Sequence, residues 1–534
     1  MVWSNQAGEV MAPVVAEDWL WGLEFTLNYA KNEGNNVSMP GEMIVGAYDY
    51  YNWTKQYTDE NGVEAAQALG LEKFLEMVGI AAPNEKTIVY TLTAEFPYFG
   101  DVASGCATMP ISGKLLEQIG AAGYHSVTAE TLWYNGPYIL TEYIQGNTKT
   151  LTKNPNYWNK ETKIFDTWTQ HMVEDQATAF LLFQTGEIDA ITLTASQLKT
   201  IYENPSNELY PYLVEARPAG YSYQLHFVYS KNNEDGTPDV NWNTAVANEN
   251  FRKAIYYGMD LTQYLAYNNF INPYSCENYG YTMVNLVSNS ENVTYDQMVR
   301  DAIGLQFDTT KYNRFDAEKA AAYKAAAIEE LTAKGVTFPV VMDYYVMGGN
   351  QGNLDQAEIL KQIFAECLGE DFITFNIKSY VSSLAQEVRN PRLASVYING
   401  WGADFNDPIN FLGQETYNDV NAYYATYYSN INDVDPEQEP ELIAAYKEFT
   451  ELTKAAAAIT DDTDARYAAL AKAEACFLEH ALTIPMKIDV SWELTCYNDY
   501  THPNTRYVDL ETNAEIWQTA DYQGFKAKFD NGEY

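Results

Sequence analysis

Hydrophobic residues along this chain switch repeatedly between the spacing of a helix and the alternation of a strand. In the second half of the chain, three short runs rich in β-branched and aromatic residues predict strands, at 336–345, 372–377 and 393–398. Apolar residues three or four positions apart predict helices before and between these strands, at 315–334, 354–367 and 382–389. The order strand, helix, strand, helix, strand predicts a doubly wound unit with a parallel sheet.

The same patterns predict further elements elsewhere in the chain. Helices are expected at 13–31, 175–185 and 463–479. Strands are expected at 87–92, 188–191 and 483–486, and a hairpin at 138–152. Gly186 can end the helix at 175–185 in a left-handed conformation, because glycine has no Cβ. Helices and strands thus alternate over most of the chain, which predicts an α/β or mixed architecture.

Composition and charge exclude several classes of protein. The chain has 534 residues, which corresponds to three or four structural units of roughly 150 residues each. Its 32 basic and 73 acidic residues give a net charge of −41, which repels phosphate backbones and anionic lipid headgroups. We therefore expect no nucleic-acid partner. Aromatic residues reach 14%, which excludes a disordered chain, and no apolar run has the length of a transmembrane helix.

The cysteine and histidine content gives no sign of a cofactor or a metal. The five Cys form no C-x-x-C pair, and this low, odd number predicts mostly free, buried thiols. No two of the five His lie three or four positions apart, so we expect no transition-metal site. Residues 1–6 show no basic segment followed by an apolar one, so no signal peptide is visible.

Five short phrases follow one another in a characteristic order between residues 133 and 408. They are W-Y-N-G-P-Y at 133–138, K-N-P-N-Y-W at 153–158, F-Q-T-G-E-I-D at 183–189, N-F-R-K-A-I at 250–255 and W-G-A-D-F-N-D-P at 401–408. With these phrases in this order, the chain resembles the extracellular solute-binding proteins of family 5. These proteins are the oligopeptide- and dipeptide-binding receptors of ABC importers.

The resemblance implies an α/β fold of the bilobed, periplasmic-binding-protein-like type II, from the large cluster with an extra subdomain. It has mixed sheets, flanking helices and a hinge of two crossings, which we place near 220–223 and 485–489. The expected domains are an extra subdomain, a first part of lobe 1, lobe 2 and a return to lobe 1, at 1–130, 131–221, 222–486 and 487–534. The family carries a signal peptide and a further segment before the region where residues 3–19 align, so we expect that an N-terminal segment is missing here.

Asp404 is the main candidate for ligand binding. It follows a predicted strand, and ligands of open α/β sheets bind beyond the carboxyl ends of strands. Gly400 and Gly402, on either side of Trp401, allow another chain to approach the backbone closely. A carboxylate at this place can pair with a cation, and the resemblance implies that the cation is the α-ammonium of a peptide. Asp407 is instead expected to cap a turn or a helix.

An extended peptide can also pair with receptor backbone as an added strand. The segment 401–403 is one candidate strand for this pairing, and 221–227 is expected on the other side. The ligand contacts predicted beside Asp404 are therefore Trp401, Gly402, Ala403, Tyr223 and Tyr221. His226 is expected to be structural. The resemblance implies that some oligopeptide receptors carry an Arg six residues before the motif Asp, where this chain has Ile398, so the reading of a peptide's C-terminus stays open.

The expected function is a receptor that captures oligopeptides in an interdomain cleft and delivers them to the permease subunits of an ABC transporter. Ligand binding would shift open forms to closed ones. We expect a monomer, outside the cell or in the periplasm, tethered through a missing lipoprotein signal.

Three alternatives remain open from the sequence. The same fold can bind a non-peptide solute such as an oligosaccharide, which has no ammonium group for Asp404. A secreted glycoside hydrolase would use two carboxylates, but with 73 acidic residues nearby pairs arise by chance. A calcium-stabilised module is disfavoured because the acid-rich loops at 433–435 and 461–464 lack the spaced pattern of calcium ligands. No G-x-S-x-G, H-E-x-x-H or P-loop occurs, so we expect no enzyme.

Overall fold

A computed structural model of the protein describes residues 1–32, 37–161, 164–419 and 421–496. The chain forms two compact units. Unit 1 comprises Met1–Val214 and the described residues from Glu493 onward, and unit 2 comprises Glu215–Trp492. The predicted lobe bounds at 221/222 and 486/487 lie a few residues from these points, and the subdivision at 130/131 stays a prediction. Residues 497–534 of the predicted return to lobe 1 lie outside the described residues.

Strands occur throughout both units. The strands of the described residues are β1 (Val2–Ser4), β2 (Val10–Pro13), β3 (Ile80–Asn84), β4 (Thr87–Tyr90), β5 (Tyr138–Ile144), β6 (Thr148–Lys153), β7 (Thr167–His171), β8 (Ala190–Thr192), β9 (Leu213–Glu215), β10 (Tyr221–Phe227), β11 (Val340–Met347), β12 (Ile373–Tyr380), β13 (Val396–Gly402), β14 (Thr483–Lys487) and β15 (Trp492–Thr495).

Helices are found between most of these strands. They are α1 (Glu17–Leu27), α2 (Ser38–Met43), α3 (Ala47–Asn61), α4 (Val63–Gln67), α5 (Leu71–Met77), α6 (Phe99–Ser104), α7 (Gly113–His125), α8 (Gln176–Thr185), α9 (Ala195–Tyr202), α10 (Val240–Ala247), α11 (Glu249–Gly258), α12 (Thr262–Asn268), α13 (Tyr295–Ala302), α14 (Ala317–Ala333), α15 (Gln351–Ile363), α16 (Ile409–Leu412), α17 (Tyr423–Tyr427), α18 (Pro440–Ala457) and α19 (Thr463–Glu479).

Unit 1 contains small sheets. Their strand orders are β1-β2, β3-β4, β5-β6-β7 and β8-β15-β9. The hairpin predicted at 138–152 is confirmed as β5 and β6, which are joined through Gly146 with a φ of 69°. The helix predicted at 175–185 is confirmed as α8, and Gly186 ends it with a φ of 75°, as its lack of a Cβ permits.

A five-stranded sheet in the order β12-β11-β13-β10-β14 is the frame of unit 2. β11 runs parallel to β12 and β13, which confirms the predicted parallel pairing. β10 pairs antiparallel with β13 on one side and β14 on the other, so the complete sheet is mixed. The side chains of Leu225 and Phe227 on β10 are fully buried in the core of unit 2.

Helices pack on this sheet around one large hydrophobic core. Helix α11 packs against α14, and α18 packs against α19. The pair α18 and α19 buries the rings of Tyr446, Phe449 and Phe477 completely. Burial of one such ring stabilises the fold by about 1.5–3 kcal/mol, so this pair of helices is a main source of stability in unit 2.

The segment predicted as a helix at 382–389 is instead a single π-helical turn, Ala385–Arg389. The carboxylate of Glu387 accepts hydrogen bonds from the backbone N–H groups of 381–383 at 2.8–2.9 Å. These bonds close the segment into a compact turn. The prediction of a full helix between β12 and β13 was therefore wrong.

All five Cys lie among the described residues and are free thiols, but only two of them are buried, so the prediction of mostly buried thiols was wrong. Cys276 and Cys476 are buried, whereas Cys106 is exposed. Across the described residues, we find no helix that combines the length and the apolar character needed to cross a membrane.

Candidate ligand-binding site at the ends of β10 and β13

Two tyrosines of β10 lie over two glycines of β13. The register pairs Tyr221 with Gly402 and Tyr223 with Gly400. A Cβ on Gly400 would lie 2.8 Å from carbon atoms of the Tyr223 ring, and one on Gly402 would lie 3.1 Å from the Tyr221 ring. An aromatic ring over a cross-strand glycine replaces the packing that the missing side chain would supply. The two predicted tyrosines therefore lie on one face of the sheet, and Tyr221 is still 50% exposed there.

Tyr223 also contacts the end of β14. Lys487 is its partner across the sheet, and the Lys487 Nζ lies 4.7 Å from the centroid of the Tyr223 ring. Lys487 forms an ion pair with Asp489. Burial, and after it the Asp489 carboxylate, raise the pKa of the Tyr223 hydroxyl to about 12. The hydroxyl therefore keeps its proton at neutral pH and can donate a hydrogen bond.

The backbone of β13 presents different residues to its two edges. The N–H of Val228 donates to the carbonyl of Ser395 at 2.9 Å. In the antiparallel register this makes every second facing pair, counted from these two residues, a hydrogen-bonded pair. The backbone N–H and C=O groups of successive residues point to opposite edges of a strand, so those of Trp401 point toward β10. Gly400 and Gly402 direct their N–H and C=O groups toward the other edge. β11 pairs with that edge near the beginning of β13, before the strand reaches the two glycines.

Trp401 lies on the opposite face of the sheet from the two tyrosines, since side chains alternate along a strand. Its ring packs against Tyr423 and Tyr424, with centroids 5.9 and 5.8 Å away. The Tyr424 hydroxyl donates to the carbonyl of Gly400 at 2.9 Å. His226 stacks on Tyr424 with centroids 4.3 Å apart and is 1% exposed, and its structural role stays a prediction. These aromatic rings support β13 from behind.

Asp404 is oriented by a buried side chain of α16. Its N–H donates to Oδ1 of Asn410 at 2.9 Å, and its Oδ2 accepts from Nδ2 of Asn410 at 3.2 Å. The Nε1–H of Trp401 donates to the same Oδ1 at 2.9 Å. Asn410 thus fixes the half-buried Asp404 relative to β13. The motif residues do not by themselves indicate Asn410, although an amide six positions after the Asp can donate and accept at once and is a usable signal.

Asp407 has a different environment from Asp404, although both belong to one motif. Its carboxylate forms a two-bond pair with Arg466, from Nε at 2.8 Å and from Nη2 at 3.1 Å, and both side chains are 2% exposed. Its Oδ1 also accepts the N–H of Ile409 at the start of α16, at 3.0 Å, which confirms the predicted cap. The hydrogen-bonding capacity of Asp407 is therefore used inside the fold.

The structure brings five of the six predicted site residues to the ends of β10 and β13, but in different roles. Tyr221, Tyr223 and Gly402 form one surface on one face of the sheet. Trp401 and Asp404 are joined through Asn410. Ala403, the sixth, is 9% exposed and packs in the core of unit 2.

A family model described as bacterial extracellular solute-binding proteins, family 5 Middle, matches residues 2–423 of the chain. The chain is 25% identical over 518 residues to the oligopeptide-binding protein SarA of Streptococcus gordonii, with 90% of this chain and 72% of SarA covered. It is 24% identical over 435 residues to the oligopeptide-binding protein AliB of Streptococcus pneumoniae, with 77% of this chain and 63% of AliB covered. The chain thus spans about two thirds of the length of these relatives.

Solved structures show the same fold. The substrate-binding domain of an oligopeptide ABC transporter from Bacillus anthracis has a TM-score of 0.58 at 19% identity, with 91% of this chain and 80% of that chain covered. OppA of Listeria monocytogenes bound to peptide has a TM-score of 0.58 at 17% identity, with 96% and 84% covered. The predicted type II periplasmic-binding-protein-like α/β class is therefore confirmed.

Proposed function

This chain belongs to the bacterial extracellular solute-binding proteins of family 5, and we propose that it is a receptor that captures oligopeptides for an ABC importer. Relatives along most of the chain are named oligopeptide-binding proteins, and one structure of the same fold is bound to peptide. The observation that carries the proposal is the place of Asp404, which is half-buried directly after β13 and oriented by Asn410.

Asp404 recognises the α-ammonium group of the peptide. Asn410 orients the carboxylate before the ligand arrives, so little side-chain freedom is lost on binding. A charge-assisted hydrogen bond of this kind contributes about 1.5–3 kcal/mol. This contact requires a free amino terminus on the ligand.

Backbone pairing supplies the remainder of the affinity. The N–H of Gly400 and both polar groups of Gly402 point away from β10, toward the edge of β13 that extends past its pairing with β11. The carbonyl of Gly400 on that edge already accepts the Tyr424 hydroxyl. An extended peptide can add to that edge as a strand, with little dependence on its side chains. The rings of Tyr221 and Tyr223 lie on the sheet face next to these glycines and contact the side chains of the ligand.

The receptor works as a monomer outside the cell or in the periplasm, tethered to the membrane by a lipoprotein anchor, and passes its peptide to permease subunits. It has no catalytic role, so peptide incubated with the protein is recovered intact. Mass spectrometry of the bound and released peptide tests this point. Shortened products that require the protein would show an enzyme instead.

Calorimetry with Asp404→Asn tests the ammonium contact. The substitution removes one charge but keeps an oxygen for Asn410, so the fold is retained. We expect its affinity for a pool of synthetic peptides to fall about tenfold or more, and we expect the unchanged protein to lose a similar factor when the peptide N-termini are acetylated.

Asp461→Asn is the matched control, because it removes the same charge from an exposed loop. Its affinity for peptide should equal that of the unchanged protein. Equal affinity for free and acetylated peptides would eliminate the role of Asp404. If the protein bound oligosaccharides but neither the free nor the acetylated peptides, a non-peptide solute would be favoured as the ligand.

A further inference from the structure

A cluster of metal-ligating side chains lies on the outer helices of unit 2. Cys476 is on α19, and His480 follows one turn later, directly after the end of that helix. Residues four positions apart lie on the same face of a helix. Glu448 comes from the neighbouring helix α18. One ligand atom of each of these three residues lies within 4.8 Å of the other two.

We propose that Glu448, Cys476 and His480 bind a zinc-type divalent metal ion, independently of peptide binding. A thiolate, an imidazole and a carboxylate are the three kinds of ligand that proteins use for zinc, and three protein ligands leave a fourth position for water. The spacing of the His residues does not indicate this site, because its i, i+4 pair consists of a Cys and a His.

The distances fit a tetrahedral ion after a small adjustment. The Nε2 of His480 lies 3.6 Å from Oε2 of Glu448. Metal–ligand bonds of about 2.0–2.3 Å in a tetrahedron place neighbouring ligand atoms about 3.3–3.6 Å apart. No separation among the three ligand atoms exceeds 4.8 Å, so none has to shorten by more than about 1.5 Å. Glu448 is 62% exposed, so its flexible side chain can make this movement, and the ion can enter from that side.

A further carboxylate orients the imidazole. Oε2 of Glu249, the first residue of α11, lies 2.7 Å from Nδ1 of His480. The other oxygen of Glu249 is paired with Lys253 at 2.5 Å. Hydrogen bonds with Cys476 and Glu249 raise the pKa of His480 to about 10. A metal ion therefore replaces a proton on Nε2, which faces Glu448, while Nδ1 keeps the proton that it donates to Glu249. Carboxylate groups hold the second nitrogen of metal-binding His in the same way in known sites.

The local charge also suits a dication. With the thiol of Cys476 deprotonated, the cluster holds three negative groups from Glu448, Cys476 and Glu249. Lys253 and Arg252 are the neighbouring cations, and Arg252 donates to the backbone carbonyl of His480 at 3.2 Å. The bound ion would connect α18 to α19 and, through Glu249, to α11.

Titration of the reduced, full-length protein with Co²⁺ tests the proposal, because cobalt bound to a thiolate in a tetrahedral site absorbs characteristically in the near ultraviolet and the visible. We expect one equivalent of Co²⁺ to produce both absorptions and Zn²⁺ to abolish them by displacement. Cys476→Ser should remove the near-ultraviolet band. Glu249→Gln should keep the band but weaken Zn²⁺ binding about tenfold to a hundredfold in competition with a chromophoric chelator.

Cys106→Ser is the control for cobalt bound to an exposed thiol, and its spectrum should match that of the unchanged protein. Circular dichroism of each variant shows that the fold is intact. His480→Gln provides a second test if Cys476→Ser unfolds, and it should weaken Zn²⁺ binding at least tenfold. The proposal is overturned if an excess of Co²⁺ gives no thiolate band, or if the band persists in Cys476→Ser.

Discussion

Asp404 and Asp407 lie three positions apart, yet the surroundings of their carboxylates differ. The cap made by Asp407 is predictable, because its partner Ile409 is a close neighbour in sequence. The pairing of Asp407 with Arg466 is not predictable, because 59 positions separate the two and no local pattern links them. The role of Asn410 as the anchor of Asp404 likewise depends on a contact that the motif does not specify.

Removing the carboxylate of Asp407 should destabilise the protein. Asp407→Ala leaves the guanidinium of Arg466 buried without its counter-ion, and we expect a loss of about 3–5 kcal/mol in the free energy of unfolding, measured with urea. The double variant Asp407→Leu with Arg466→Met removes both charges and should recover much of this loss. A loss below about 1 kcal/mol for Asp407→Ala would mean that solvent reaches the guanidinium.

At the scale of elements, helices are predicted best where caps accompany the apolar pattern. The helix predicted at 463–479 agrees with α19 at both ends, and Asp462 caps its first turn. The strand predicted at 393–398 is wrong at both ends, because β13 is Val396–Gly402. Glycine disfavours strands, so strand propensity predicts an end at Ile398. In the structure, the tyrosine rings of β10 stabilise the last residues of β13 beyond that point. That cross-strand packing is invisible in either segment alone.

A methyl group on Gly400 should displace the Tyr223 ring. Gly400→Ala places a Cβ 2.8 Å from ring carbons, and we expect a loss of about 1–3 kcal/mol in the free energy of unfolding. Gly413→Ala is the matched control, because its φ is −58° and no atom lies within 4 Å of its Cβ. Urea unfolding should show the control unchanged or stabilised by up to about 1 kcal/mol. Equal effects of the two substitutions would contradict the packing of Tyr223 on Gly400.

At the scale of the whole molecule, pattern and motifs predict the fold class but not the order of strands. The strand β10 pairs with β13 and β14, which lie far along the chain, and alternation within a segment carries no information about such partners. The parallel part of the sheet is predictable, because each of its strands follows the previous one after a short connection.

The net charge of −41 should make stability depend on salt. Like charges repel one another across the folded surface, and the screening length falls from about 30 Å at 0.01 M salt to about 8 Å at 0.15 M. We therefore expect the melting temperature to rise over this range of NaCl, as measured by calorimetry. An equal rise with KCl would exclude a specific effect of sodium. A melting temperature that falls with added salt would show that attractive ion pairs outweigh the repulsion.

The central place of β10 also affects how the chain emerges from the ribosome. Residues 221–227 are synthesised about 170 residues before β13 and about 260 before β14. At roughly 5–20 residues per second, the nascent strand waits on the order of 10 to 30 s for its first neighbour. During that time a strand with two bare edges is a template for pairing between growing chains. A chaperone that covers this heptapeptide would therefore protect the yield of folded protein more than one bound elsewhere on the sheet.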